Sequence, residues 1–248
     1  MLPALPPTRS GRREWREVIG PYSLVCLDMA GTTVRDDGVV DEAFTVALQL
    51  AGVDLDSPRF ASARAYVQAT MGQSKADVFA GLLDPEPAAA ATAAFAQAYE
   101  RIVAEGRVSP IRGALETIDG LRLRGVKVCL TTGFAPSTRD ALIRSLGWSA
   151  HIDLALSPAD CGRGRPAPDM ILGAMERLGV ADAGAVAVVG DTVSDLASGT
   201  AAGAGAVIGV VSGAHDESTL SAVPHTALIA DVTALIGLLE GDRRVNKA

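Results

Sequence analysis

Residues 23–34, SLVCLDMAGTTV, settle the fold class. The first five form a short apolar run without polar alternation, which reads as a strand buried on both faces of a parallel sheet. Asp28 follows at once, and Gly31, Thr32 and Thr33 then mark a polar turn at the strand's carboxyl end. Comparable runs rich in Val, Ile and Leu recur at 126–130, 152–156, 185–189 and 206–210, with a weaker one at 227–229. Helix-length segments at 113–124, 137–146, 169–178 and 194–202 lie between them, each bounded by Gly or Pro. This alternation predicts an α/β fold with a doubly wound parallel sheet.

The alternation lapses after the first strand. From about residue 41 to 108 there is no β run, only helical patterns such as DEAFTVALQLAG (41–52) and the Ala-rich PEPAAAATAAFAQAYERIVAEG (85–106). Ala has the highest helix propensity, so the second stretch reads as an ordered helix. The expected organisation is an N-terminal tail (1–20), an α/β core (21–38 and 110–248) and an inserted helical cap (39–109). Gly38, Pro110 and Gly113 mark the junctions.

Of the 248 residues, 48% are hydrophobic and 21% charged, a globular composition that excludes disorder for most of the chain. The aromatic share is only 4%, so close packing of Ala and Gly is expected. A net charge of -7, without a basic stripe, argues against nucleic acid or an anionic membrane surface and favours a small-molecule partner. No run of 18 uncharged apolar residues is present, so no membrane span is predicted. The first 18 residues carry four Arg and no sustained apolar core, unlike a signal peptide. Cys26, Cys129 and Cys161 lack any C-x-x-C or zinc-like spacing and read as reduced thiols of a cytoplasmic protein. The first two lie in strand-like runs, as small buried hydrophobes; Cys161 has no evident role.

In open α/β sheets ligands sit at the carboxyl ends of the strands. Four loops there are polar: Asp28 to Thr33, Thr131-Thr132-Gly133, the segment reaching Arg163-Gly164-Arg165-Pro166, and Gly190-Asp191-Thr192-Val193-Ser194-Asp195. Three carboxylates at one sheet edge repel unless a cation intervenes, and Mg²⁺ with oxygen ligands meets that need. Asp28 and Asp191 are the candidate ligands, with Asp195 nearby. The plainer reading of any one such Asp is a helix cap.

These four segments resemble, in order and each after a strand, the motifs of haloacid dehalogenase superfamily hydrolases. The resemblance runs from about residue 22 to 240. It implies that Asp28 attacks phosphorus, that Asp191 and the Ala30 carbonyl complete Mg²⁺ coordination, and that Thr132, Gly133 and Arg165 bind the phosphoryl oxygens. Asp195 and Thr32 would support them. Most phosphatases of the superfamily carry a second Asp where this chain has Ala30; losing such a general acid/base typically costs about 10² to 10⁴ in rate.

The Asp-x-Ala-Gly-Thr-Thr form is similar to the phosphonoacetaldehyde hydrolase (phosphonatase) family, as is Met71-Gly72-Gln73-Ser74-Lys75 in the cap. That family forms a Schiff base between the cap lysine and its aldehyde substrate, which makes Lys75 catalytic and sets Met71 and Gly72 against substrate. It also implies a homodimer formed through the cap. Neutralising an unshifted lysine at pH 7 costs about 4.6 kcal/mol, so the pocket must lower its pKa. Lys75 also reads as a solvated cap-helix lysine or a plain phosphate contact. Val78 and Phe134 stand where the family has His and Tyr. The leading expectation is C–P hydrolysis of phosphonoacetaldehyde or a related carbonyl phosphonate; the alternatives are a C–O phosphatase and a non-catalytic phosphometabolite binder. His151, His215 and His225 lie outside the motifs and read as surface or loop residues.

Overall fold

The structure is a computed structural model that describes residues 20–241; the predicted tail, apart from its last residue, lies outside them. Six parallel strands form one sheet: β1 (Leu24–Asp28), β2 (Lys127–Thr131), β3 (Leu154–Leu156), β4 (Val186–Gly190), β5 (Ala206–Val210) and β6 (Ala227–Ile229), in the order β3-β2-β1-β4-β5-β6. Alternate residues of β1 serve opposite faces. Val25 and Leu27 join the larger core, while Leu24 and Cys26 pack with Met170 and Ile171 on the other side. Burial on both faces is why the strands read as continuous apolar runs.

The strand ends differ from expectation in one consistent way. β1, β2 and β4 each run one residue further than the apolar pattern, through Asp28, Thr131 and Gly190. Asp28 is paired in register with Thr131, so backbone pairing outlasts hydrophobic burial by one residue. The consequence is functional: Asp28 is held by the sheet, not by a loop.

Between β1 and β2 run four helices, α1 (Val39–Leu50), α2 (Pro58–Ala69), α3 (Lys75–Leu82) and α4 (Pro85–Ala104). α2 and α4 begin with Pro in the first turn, where no N–H is needed. Ser57 caps α2 by accepting the Phe60 N–H at 3.2 Å. Here the scarce aromatics are concentrated: Phe44, Phe79 and Phe95 of α1, α3 and α4 pack with ring centres 4.8 to 6.3 Å apart. Phe134, from the loop after β2, joins them through Tyr99 at 4.5 Å. The remaining helices are α5 (Ala114–Leu123), α6 (Pro136–Ser145), α7 (Pro158–Cys161), α8 (Asp169–Leu178), α9 (Val193–Ala201), α10 (Glu217–Ser221) and α11 (Leu235–Gly241). α5, α6, α8 and α9 match the sequence reading within a residue. α7, α10 and α11 are too short to display a helical period. No described helix is long and apolar enough to cross a membrane.

Candidate active site

Chain direction across the sheet reverses around β1, which opens a crevice at its carboxyl end. Asp28 closes β1 and Asp191 follows β4 next door, so the topology brings together two carboxylates 163 positions apart. Asp28, Asp191, Asp195, Arg165, Thr132 and Lys75 are all buried there.

Arg165 is the hub. Its Nη1 lies 2.7 Å from Asp28 Oδ1 and 2.8 Å from Asp195 Oδ1, and donates to the Gly72 carbonyl at 3.2 Å; Nη2 donates to Thr131 Oγ1 at 2.9 Å. The fork expected to face a phosphoryl group is thus turned toward protein groups. Asp195 also forms a capping box at the start of α9. The Thr192 N–H donates to its carboxylate at 3.1 Å, the Asp195 N–H returns to Thr192 Oγ1 at 3.3 Å, and Thr192 Oγ1 also donates to the carboxylate at 2.5 Å. Thr192, not Asp195, is therefore the N-cap of α9; Asp195 supports it from the third helical position, in addition to its ion pair.

Asp191 is held differently. Thr32 Oγ1 donates to Oδ1 at 3.0 Å and the Ala214 N–H to Oδ2 at 2.7 Å, with no cation within ion-pairing range among the described residues. Burial, then the charges of Asp28 and Asp195, raise its carboxyl well above the usual range. Burial likewise pushes Asp28 up to about 7 against the pull of Arg165. This set of buried acids, only partly offset by the Arg165 guanidinium and the Lys75 ammonium, suits a hard divalent cation. No three or more His, Cys, Asp or Glu side chains converge into a metal cage among the described residues. A fitting ion would be held by Asp28, Asp191 and the Ala30 carbonyl, with water completing its shell.

Lys75 is the first residue of α3 and is 7% exposed, so the solvated-lysine reading does not hold. Its Nζ lies 5.3, 5.5 and 5.9 Å from the ring centres of Phe44, Phe134 and Phe95. Burial pushes the ammonium down to about 8; Asp28 opposes that drop and Arg165 adds to it. Lys75 lines one cavity with Asp28, Ala30, Met71, Thr132 and Arg165.

The backbone between α2 and α3 is seated against the loops after β2 and β4. Gly72 has φ +83°, and a Cβ there would overlap the Thr192 hydroxyl; a Cβ on Gly133 would overlap the Gln73 carbonyl. Both glycines permit this approach. Three features were missed in the sequence. Asp36 lines the same cavity, its Oδ1 accepting the Val40 N–H at 3.1 Å; a polar residue eight positions after Asp28 gave no motif. The Tyr99 hydroxyl is buried without a hydrogen-bond partner, the one such side-chain atom among the described residues. The loop after β5 also reaches the site: Ser212 donates to the Gly31 carbonyl at 3.1 Å, and His215 Nδ1 accepts the Val193 N–H at 3.0 Å. Reading the loop after every strand would have found it.

Known proteins share this fold. A family profile of haloacid dehalogenase-like hydrolases matches residues 22–203, and the chain belongs to that family. It is 32% identical over 221 residues to the Dickeya dadantii protein named "Probable phosphatase IndB", covering 86% of this chain and 92% of that one. It is also 32% identical over 124 residues to phosphonoacetaldehyde hydrolase of Bacteroides fragilis, covering 50% of this chain and 47% of that one. A hydrolase from Pseudomonas syringae shares the fold with a TM-score of 0.77 at 22% identity, over 89% of this chain and 98% of that one.

Proposed function

We propose that this hydrolase cleaves the C–P bond of phosphonoacetaldehyde or a related carbonyl phosphonate, with Mg²⁺, Asp28 as nucleophile and Lys75 as imine-forming amine. The observation that carries this reading is the buried Lys75, lowered to about 8, in one cavity with Asp28 and with Ala30 in place of a second acid. Lys75 condenses with the carbonyl and releases water. Asp28 then attacks phosphorus, and the C–P electron pair enters the iminium to give an enamine. Protonation and hydrolysis return the carbonyl product and the free amine, and water cleaves the aspartyl phosphate. Mg²⁺ would neutralise charge on the phosphoryl oxygens. Residues 39–109 would act as the cap that brings Lys75 to the core.

A second reading is a phosphomonoester phosphatase using the same Asp28, favoured by the likeness to the Dickeya protein over 86% of this chain. A phosphate-release comparison of phosphonoacetaldehyde with common monoesters separates the two. The C–P reading expects release from the phosphonate and inactivation by borohydride during turnover, with a reduced adduct on Lys75. Release from monoesters alone, with no adduct, overturns it.

A further inference from the structure

The cavity against Asp28 measures about 30 Å³, room for about two water molecules. A second cavity of about 270 Å³ adjoins it, and Lys75, Gly133 and Phe134 line both. The larger space lies between the cap helix α4, through Phe95 and Ala96, and the core, through Pro158 and Ala159 of α7. Its volume approaches the range of about 300–1,000 Å³ typical of sites for organic ligands. Lys75 stands at the junction, and two rings of its aromatic cage, Phe95 and Phe134, wall the larger side.

An imine carbon on Lys75 carries two substituents. The phosphonomethyl arm, with five non-hydrogen atoms, must reach Asp28 on the side of the smaller cavity, which has to widen to admit it, so the other arm faces the larger one. In an aldehyde that arm is hydrogen, and the walls, mostly apolar (Ala76, Phe95, Ala96, Phe134, Pro136 and Pro158) with Ser74, Asp77 and Thr92 among them, would meet nothing. We infer that the larger cavity is a subsite for an apolar group R, making the substrate class 2-oxophosphonates, R–CO–CH₂–PO₃²⁻, with R an alkyl or aryl group. This rests on the imine reading above. With water the products are the methyl ketone R–CO–CH₃ and hydrogen phosphate. The C–P electron pair passes to carbon and is protonated there, so no oxidant or reductant is needed.

The test compares phosphate and ketone release from phosphonoacetaldehyde, 2-oxopropylphosphonate and 2-oxo-2-phenylethylphosphonate in the full chain. The expected result is that kcat/KM rises by about tenfold or more toward the phenyl substrate. Ala96→Trp should reverse that order by filling the space from the cap. Ala159→Phe should do the same from the core, at an exposed position that spares the fold if the first variant fails. A preference for phosphonoacetaldehyde, or equal losses on all three substrates in both variants, overturns the subsite while leaving C–P cleavage intact. Phosphate from monoesters but from none of the three phosphonates overturns both readings.

Discussion

The Lys75 backbone N–H donates to the Gly133 carbonyl at 3.1 Å. The amine proposed to hold the substrate is thus tied through main chain to the loop that carries Thr132. Gly133→Ala should break this tie, because its Cβ would overlap the Gln73 carbonyl. A displacement near 1 Å costs on the order of 100-fold in rate, so kcat/KM should fall by about that factor, and the overlap with main chain should lower Tm by roughly 2–12 °C. Wild-type turnover in Gly133→Ala would separate catalysis from this contact.

Lys75 should set a pH dependence. With its pKa lowered to about 8, the neutral fraction at pH 7 is about a tenth, against roughly three in ten thousand for an unshifted lysine. Only the neutral amine attacks a carbonyl, so imine formation should rise with pH and level off above about 8. Lys75→Arg should lose at least about 100-fold in kcat, since guanidinium stays protonated. A single-turnover pH profile without a step near that value would remove the lysine from this role.

Metal binding should divide between two carboxylates. Asp28→Asn is expected to abolish turnover, because an amide cannot attack phosphorus and ligates metal poorly. Asp191→Ala should weaken Mg²⁺ affinity measured by calorimetry while leaving the Arg165 ion pairs in place. Equal affinity in wild type and Asp191→Ala would place the ion elsewhere.

Arg165 holds two buried carboxylates, so Arg165→Ala leaves both unpaired. The expected cost is about 3–5 kcal/mol, a fall in Tm of roughly 6–20 °C. Arg165→Lys should lie between, because one ammonium cannot reach Asp28, Asp195, Thr131 and Gly72 together. Differential scanning calorimetry on the three proteins checks the order.

Tyr99→Phe removes the one unpartnered buried hydroxyl among the described residues. An unsatisfied buried polar group costs about 1–3 kcal/mol, so the variant should gain stability by about 1 kcal/mol. A lower Tm would mean that this hydroxyl finds a partner in solution.

Much of this molecule follows from local chemistry. The apolar runs ending in Asp28, Thr131 and Gly190 specify a parallel sheet and put polar residues at its carboxyl edge, because burial on both faces demands unbroken hydrophobicity. The Gly and Pro junctions and the Ala-rich stretch mark an inserted helical segment, and the four motifs identify the family. The site's internal wiring depends instead on chain crossings. Arg165 facing Asp28 and Asp195, Lys75 enclosed by Phe44, Phe95 and Phe134, and Tyr99 left without a partner all join residues distant in sequence. Burial and charge act through space, so the lysine whose motif implies a neutral amine is neutralisable only once α1, α4 and the loop after β2 close around it.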